Sequence, residues 1–560
     1  MFDQATGAST NAVTDGHAVT VTGITLEKWR IVAFFVLSIL IVSITRLPFV
    51  PSHLHSFDEV NLALALKNFD PTRNQPQPPG YPLFVFEERL LNALLGTPER
   101  TFAVLSCLIG GLAVASLYLL GRRMFSSWVG LTAAALLFVN PIFWFSGLTS
   151  PLRPHLALIS VLMAYFCWRA TNHEPQHFIG ASVTLGLGSG FRPELLLFLF
   201  PLWAWTAWQC RDRVLILIRG LFLLIVTTLV WVVVLVIASG GWAPMLYAFS
   251  NYLFAQTQQT SVLLDPRSGS WMRWAGRAIL WTGLGVVPWI WTLPFGWVQR
   301  RELPERNKVL SFLVAWFLPA FVFYLIVHIG DPDQALTIIP ALCLAGAFCL
   351  VSGEQFIARK WLPDLKEERG FLVGIALLGN LLLFFGQFPL PQRTPASGFR
   401  GLQSVEDAVL IGTYETSYAR VLWVEQMMNL AIEEIQGLKS TANRPVLFIW
   451  ARDGEPVWRK ITYYLPTEKV YELDEKGALG APFSLAQLWQ SNVRLQKYSG
   501  DTPIRVPLPK GTRLIWVIAS AYADELGRLV PLQKAGSLYF TDLSRDAPSF
   551  RWGSFELAPE

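Results

Sequence analysis

The sequence has 560 residues, of which 52% are hydrophobic and only 15% are charged, and its net charge is +5. Its apolar runs are too long for the core of a soluble domain, which excludes an ordinary globular protein and predicts that most of the chain lies in lipid. The Lys and Arg residues occur in short clusters between apolar runs, a pattern that reports membrane topology and argues against a nucleic-acid partner.

Residues 1–28 are polar and lack the basic start, short apolar stretch and cleavage site of a signal peptide. We therefore expect a cytoplasmic tail followed by a first span that is retained as an anchor. The five cysteines all lie in or beside apolar segments, so no disulfide framework or zinc ribbon is predicted. They are Cys107, Cys167, Cys210, Cys343 and Cys349.

About twenty apolar residues suffice to cross a bilayer, and by that length residues 29–390 hold about eleven predicted transmembrane helices. The predicted spans lie near 30–50, 101–121, 128–146, 155–170, 177–191, 193–209, 212–238, 275–298, 308–328, 333–352 and 369–389.

The orientation follows from the positive-inside rule. With a cytoplasmic amino terminus, every dense basic cluster falls in a cytoplasmic loop, provided that 81–96 does not cross the membrane. We expect 81–96 to lie along the outer interface, because the charged run Glu87-Glu88-Arg89 at its centre would be costly in a span. The outer side then receives a first outer loop 51–100, segments 147–154 and 329–332, the turn 190–193, and an outer loop 239–274 that we expect to form a lid.

The polar region 391–560 also falls outside in this topology. A helical period near 415–438 alternates with short β-like runs such as 446–450 and 513–518. The pattern predicts a small extracytoplasmic α/β domain that binds the acceptor or a partner.

The first outer loop carries the acidic pair Asp58-Glu59, and then a Gln77-Pro78-Pro79-Gly80-Tyr81-Pro82 turn into another helix. This arrangement resembles the GT-C superfamily of membrane glycosyltransferases, and more narrowly the bacterial relatives of protein O-mannosyltransferases and of lipid A aminoarabinose transferases. The turn 190–194 and the run 329–342 also resemble that superfamily, and the resemblance covers roughly residues 30–390.

The resemblance implies a polytopic α-helical module whose first outer loop supplies a catalytic carboxylate. It also implies a sugar donor carried on a polyprenyl phosphate, transfer with inversion, and a glycan, lipid or protein acceptor. Asp58 is the predicted base for the acceptor hydroxyl, which is a poor nucleophile at neutral pH. Glu59 is predicted to orient the acceptor, although Ser56 and Glu59 also have the spacing of a helix-capping box.

The leaving lipid phosphate needs stabilisation that a guanidinium fork provides well. Arg192 and Arg153 are the first candidates, with Arg73, Arg273 and His328 behind them. Arg192 could instead extend to lipid headgroups, and His328 could only cap a helix. Tyr81 and Asp331 are candidate substrate contacts, although an interfacial aromatic belt would also place a tyrosine there.

His53 and His55 lie near the acidic pair, so a zinc or manganese site can be drawn, but the spacing matches no recognised metal motif. The sequence therefore requires no cofactor and leaves a divalent metal open.

Three other functions compete with glycosyl transfer. A transporter or flippase of lipid-linked glycans would place ionisable residues near the bilayer midplane. A membrane anchor would need fewer spans. A glycan polymerase or ligase would centre its activity on a late outer loop, whereas the strongest motif here is in the first. The sequence favours an enzyme of the cytoplasmic membrane with its active site outside.

Overall fold

The computed structural model describes residues 15–261, 270–303, 305–360, 370–386, 412–440, 446–451, 458–466 and the strands between 469 and 559, with side-chain surroundings from residue 29 onward. The α-helices of the first half are α1 Asp15–Arg46, α2 Phe57–Lys67, α3 Pro82–Leu95, α4 Pro98–Met124, α5 Ser127–Val139, α6 Pro141–Thr149, α7 Arg153–Thr171, α8 His177–Phe191, α9 Glu194–Gln209 and α10 Val214–Ala238.

Those that follow are α11 Trp242–Thr260, α12 Ser270–Gly283, α13 Leu293–Gln299, α14 Arg306–Ile326, α15 Ile339–Lys360, α16 Phe371–Phe385, α17 Tyr418–Ser440 and α18 Trp458–Tyr464. Short 3-10 helices lie at Leu47–Phe49, Pro71–Arg73, Leu284–Val286, Ile290–Thr292, Arg300–Glu302 and Pro332–Thr337.

Helices occupy all of the predicted span positions, and the chain is a multi-pass membrane protein. Among the described residues, five helices are long and apolar enough to cross a bilayer, or seven if each bent pair counts as one span. Helices α8, α9 and α16 have only 15, 16 and 15 residues. They are shorter than the roughly twenty residues that a span requires, so the number eleven stays a prediction.

The break between α5 and α6 is built into the sequence at Asn140-Pro141. The Asn140 Oδ1 atom accepts hydrogen bonds from the amides of Ile142 at 3.0 Å and Phe143 at 3.3 Å. Pro141 then starts α6, because it has no amide hydrogen to satisfy. The chain bends by 53° there, and the buried α6 leads into the loop before α7.

Small residues let the helices of the core approach closely. A Cβ atom on Gly121 of α4 would lie 2.6 Å from the Cα atom of Gly130 of α5. Glycine at both positions therefore permits backbone contact between the two helices, as in many membrane bundles. The buried core extends from this contact through α7, α8, α9 and α15.

Helix α3 explains how the charged run of 81–96 is accommodated. Phe86, Leu90 and Leu94 are exposed on one face, while Glu88 is buried on the other. Glu87 Oε2 lies 2.9 Å from His155 Nε2, and Arg89 donates to the Ala65 carbonyl at 2.8 Å. An exposed apolar face with a buried glutamate opposite it suits a helix that lies along the membrane interface.

The described part of residues 391–560 contains helices and strands. Helix α17 and strands β1 and β6 match the predicted elements near 415–438, 446–450 and 513–518. The strands are β1 Val446–Ala451, β2 Lys469–Glu475, β3 Ala486–Gln490, β4 Gln496–Lys497, β5 Ile504–Leu508, β6 Arg513–Val517, β7 Gln533–Ala535, β8 Leu538–Phe540, β9 Phe550–Trp552 and β10 Phe555–Pro559.

Five of these strands form one sheet in the order β4-β3-β2-β1-β6, in which β1 pairs in parallel with β2 and β6. Two smaller sheets contain β5-β10-β9 and β7-β8. Helix α18 packs between this region and the membrane module, because it contacts both β2 and α2. Residues 387–411, at the start of the predicted outer domain, lie outside the described residues.

Candidate active site

Asp58 lies in the first turn of α2, where the unpaired amides of the helix favour negative charge. The helix starts at Ser56, whose Oγ atom accepts a hydrogen bond from the Glu59 amide at 3.2 Å. Asp58 accepts a side-chain hydrogen bond from Gln77 and remains partly accessible. The local sequence thus presents one carboxylate at the end of a helix, supported by the Pro-rich turn.

Glu59 forms the capping box that the spacing of Ser56 and Glu59 predicted. Its Oε2 atom accepts hydrogen bonds from the amides of Ser56, at 3.1 Å, and His55. Burial raises the pKa of Glu59 to about 8, although the two amides and Lys460 act against the shift. Its carboxyl group therefore holds the backbone before Asp58, and any contact with an acceptor stays a prediction.

The Pro-rich turn brings Tyr81 into the same region. Gly80 has φ +100°, and a Cβ atom there would lie 2.7 Å from Leu235 and 2.8 Å from Pro71, so only glycine fits. Tyr81 is buried, and it interacts electrostatically with Asp58 and Arg192.

Arg153, at the start of α7, contacts two aspartates. Asp333 belongs to the 3-10 helix Pro332–Thr337, and Asp331 directly precedes that helix. Its Nη2 atom lies 3.2 Å from Asp331 Oδ2, and its Nε atom lies 3.1 Å from Asp333 Oδ1. Arg153 and Asp333 are buried, whereas the Asp331 side chain is 55% exposed. Arg153 therefore fixes the Asp331 loop against α7, which competes with its predicted role as a phosphate ligand.

Arg192 ends α8 and is the predicted phosphate ligand that is best placed for the role. Its Nε atom donates to Glu194 Oε1 at 3.0 Å. Its Nη1 atom is buried and has no hydrogen-bond partner among the residues that the structure describes. Arg192 also lies close enough to Asp58 for its charge to lower the pKa of that carboxyl group.

Three carboxylates, Asp58, Asp331 and Asp333, interact electrostatically with one another and with Arg192. Burial and the charge of Asp331 raise the pKa of Asp58 to about 7, against the opposing charge of Arg192. Burial and the same Asp331 charge raise the pKa of Asp333 to about 8. Groups that interact this strongly titrate as a set, so the cluster holds fewer than three negative charges near neutral pH.

The remaining phosphate candidates differ in position. Arg73 is 60% exposed and pairs with Asp70 at 3.2 Å, in a 3-10 helix that contacts α11. His328 lines a crevice together with Arg192, and its charge acts on Asp331. The side chain of Arg273 lies outside the described residues.

The two histidines near the acidic pair have separate surroundings. His53 Nδ1 lies 2.9 Å from Glu425 Oε1 of α17. His55 is buried edge-on against Phe145, and burial keeps its pKa well below the usual value, so the ring is neutral. Within the described ranges, no three His, Cys, Asp or Glu side chains are grouped as metal ligands.

Sequence reasoning missed two residues of the site. Asp333 follows the predicted residue Asp331 by two positions. A second aspartate directly after Pro332 is the feature of the sequence that could have indicated it. Tyr252 of α11 interacts electrostatically with Asp58, Tyr81 and Arg192, and its burial raises its pKa well above the ordinary value. No local motif marks Tyr252, although it falls in the outer loop that was predicted to form a lid.

Residues 76–237 match the sequence model of the family described as dolichyl-phosphate-mannose-protein mannosyltransferase. The match covers less than half of the chain and includes the Pro-rich turn and Arg192. No curated protein matches the sequence significantly.

The fold is similar to solved structures of membrane proteins. ArnT from Cupriavidus metallidurans bound to undecaprenyl phosphate is 16% identical, with a TM-score of 0.55, over 91% of this chain and 97% of that protein. Its apo form is 15% identical, with a TM-score of 0.53, over 92% and 98% of the two chains. The Archaeoglobus fulgidus oligosaccharyltransferase is 13% identical, with a TM-score of 0.41, over 79% and 64%.

The ArnT likeness extends over nearly the whole of both chains, and the family match includes Tyr81, Arg153 and Arg192 but not Asp58 or Asp331. The chain therefore has the fold of the GT-C superfamily of membrane glycosyltransferases, as the motifs of the first outer loop predicted.

Proposed function

We propose that this chain is an inverting glycosyltransferase that moves a sugar from a polyprenyl-phosphate donor to an acceptor hydroxyl at the outer face of the cytoplasmic membrane. One observation carries the proposal. The Asp58 carboxylate, whose pKa of about 7 lets it accept a proton near neutral pH, interacts electrostatically with the buried Arg192 guanidinium, whose Nη1 atom has no partner in the described part of the chain.

Asp58 acts as the base in this mechanism. It accepts the proton of the acceptor hydroxyl while the acceptor oxygen bonds to the anomeric carbon of the sugar. A base whose pKa is near the working pH is about half ionised and still basic enough to take the proton. A single carboxylate of this kind suits inversion, because no enzyme nucleophile is needed to form a glycosyl intermediate.

Arg192 stabilises the leaving group. As the bond between the anomeric carbon and the phosphate oxygen breaks, its electron pair stays with the lipid phosphate, which gains negative charge. The guanidinium is already oriented by Glu194, so its remaining hydrogen atoms can reach a phosphate with little reorganisation.

The surroundings of Arg192 suit a lipid phosphate. A crevice beside Arg192 is lined by polar side chains, including Arg192 and His328, and by apolar ones, including Phe198 and Phe323. A phosphate can bind the polar part while the first prenyl units contact the rings. The undecaprenyl phosphate bound to ArnT, the structure with the same fold, supports this donor class.

Other residues complete the site in this proposal. Tyr81 and the half-exposed Asp331 contact the sugar or the acceptor, while Arg153 fixes the loop of Asp331. Helix α11 carries Tyr252, which interacts electrostatically with Asp58 and Arg192, and exposes Leu246 and Phe254, so it forms the cover of the site at the lipid surface. The membrane module comprises about eleven spans, and the region 391–560 is extracytoplasmic.

The test is transfer from a panel of radiolabelled polyprenyl-phosphate sugars in membranes that contain the wild-type chain or Asp58→Asn at equal expression. We expect transfer from at least one donor, with inverted anomeric configuration, and its loss in the variant. Movement of lipid-linked sugar across liposomes without transfer would instead identify a transporter. Equal transfer by the two chains would remove Asp58 from the mechanism.

A further inference from the structure

Residues 52–56, the irregular segment directly before the helix of Asp58, are restrained mainly by side chains. Five consecutive amides each donate to a side-chain oxygen. Glu425 accepts from Ser52 at 3.2 Å and from His53 at 3.3 Å, Tyr464 accepts from Leu54 at 2.8 Å, and Glu59 accepts from the other two. Two of these three acceptors belong to the C-terminal part of the chain.

The Tyr464 hydroxyl connects three elements. It accepts from the Leu54 amide and donates to Glu99 Oε1 at 2.9 Å, in the first turn of α4. A hydroxyl with both roles filled fixes its own orientation and those of its two partners. Tyr464 thereby joins the segment before α2 to a membrane helix.

Lys460 and Arg459 extend the contact along α2. Lys460 is fully buried and donates from Nζ to the His55 carbonyl at 3.1 Å. Arg459 donates from Nε to Asn61 Oδ1 at 3.1 Å. A buried ammonium group is costly unless its hydrogen atoms are bonded, and the His55 carbonyl accepts one of them.

We propose that Glu425, Tyr464 and Lys460 are positioning residues, which fix residues 52–56 and through them the Asp58 carboxylate. This inference rests on the proposed function and adds to it a role for the C-terminal region within the active site. Asp58 follows Ser56 by two residues, so a displaced segment displaces the base. A misplacement of about 1 Å can cost roughly a hundredfold in rate.

A merely structural contact would lower the stability of the protein without changing the chemical step. The two roles are separated by measuring kcat, donor KM and amide hydrogen exchange of residues 52–56 in the full-length protein in detergent. The variants are Tyr464→Phe and Glu425→Leu. The matched controls are Tyr463→Phe, which keeps the Tyr464 hydroxyl, and Glu433→Leu, at an exposed position of the same helix α17.

We expect the two test variants to lower kcat about tenfold to a hundredfold with an unchanged donor KM, and to exchange the amides of residues 52–56 faster. The controls should match the wild type in both measurements. Glu425→Gln keeps one acceptor oxygen and should recover part of the kcat. If Tyr464→Phe does not fold, the Glu425 and Glu433 variants carry the comparison.

Two results in the test variants would overturn the inference. One is amide hydrogen exchange of residues 52–56 that is no faster than in the control variants. The other is faster exchange of these amides with an unchanged kcat. Failure of the proposed function is distinguishable from both, because a wild-type chain that transfers no sugar from any donor would contradict that function alone. The exchange measurement would still decide whether Glu425 and Tyr464 restrain residues 52–56.

Discussion

Arg192 donates from Nε to Glu194 Oε1 at 3.0 Å, so a carboxylate two positions later in the chain orients the guanidinium. The Nη1 atom of the same group is buried and has no hydrogen-bond partner within the described ranges. A buried donor without a partner is costly, and a bound anion would remove that cost. This arrangement favours Arg192 over the other predicted cations for the proposed phosphate contact.

Arg192→Lys keeps the positive charge and removes the fork. We expect kcat/KM for a polyprenyl-phosphate donor to fall roughly tenfold to a hundredfold, since a hydrogen bond to a charged group contributes about 1.5–3 kcal/mol. Arg73→Lys is the matched control and should stay near the wild-type value, because Arg73 is mostly exposed and pairs with Asp70. Equal losses in the two variants would show that the assay reports general electrostatic attraction.

The pH dependence of transfer follows from the base form of Asp58. Because only the ionised carboxylate accepts a proton, the rate should rise with pH and reach half its maximum near 7, where burial and Asp331 place the pKa of Asp58. Asp331→Asn removes a charge that raises this pKa, so the midpoint should move to lower pH. A midpoint that stays in place, measured as log kcat/KM against pH, would assign the ionisation to another group.

Measured above pH 8, where Asp333 is ionised, Arg153→Met should destabilise the protein by about 3 kcal/mol, since it leaves that buried carboxylate without its charged partner. Arg153→Met combined with Asp333→Asn should recover part of that loss, because the remaining buried group is neutral. Unfolding in detergent measures both, with Arg123→Met as an exposed control. Additive losses in the double variant would indicate that the two side chains do not interact.

Glu59→Gln separates helix capping from catalysis. Glutamine can still accept from the amides of Ser56 and His55, so we expect a loss of stability of about 1 kcal/mol or less and a modest decrease in kcat. Asp58→Asn should leave the melting temperature near the wild-type value and abolish transfer. A complete loss of transfer in Glu59→Gln at wild-type stability would give Glu59 a direct role in the reaction.

Local patterns predicted part of the site because its key residues lie in short motifs. The spacing of Ser56 and Glu59 predicted the capping box, and the structure confirms both of its hydrogen bonds. The acidic pair, the Pro-rich turn and the turn after α8 indicated the GT-C superfamily, whose fold the chain has. These signals are legible in sequence because each involves only a few neighbouring residues.

Long-range pairings could not be predicted in this way. Arg153 meets Asp331 across 178 positions, and Tyr464 meets Leu54 across 410 positions, while no periodicity encodes either contact. Counting spans by length also reaches a limit at α8 and α9, whose inner faces pack against each other and against α7. Their burial depends on the packing of the whole bundle, and a run of apolar residues does not specify it.

In the proposed mechanism the Asp58 carboxylate accepts the proton of the acceptor while Arg192 holds the donor phosphate. Single-turnover transfer, with donor affinity determined separately, tests this mechanism most directly when wild type and Asp58→Asn are compared. We expect the first-order rate to fall at least about a hundredfold in the variant while the donor Kd is unchanged. A rate equal to that of the wild type, with donor fully bound, would contradict it.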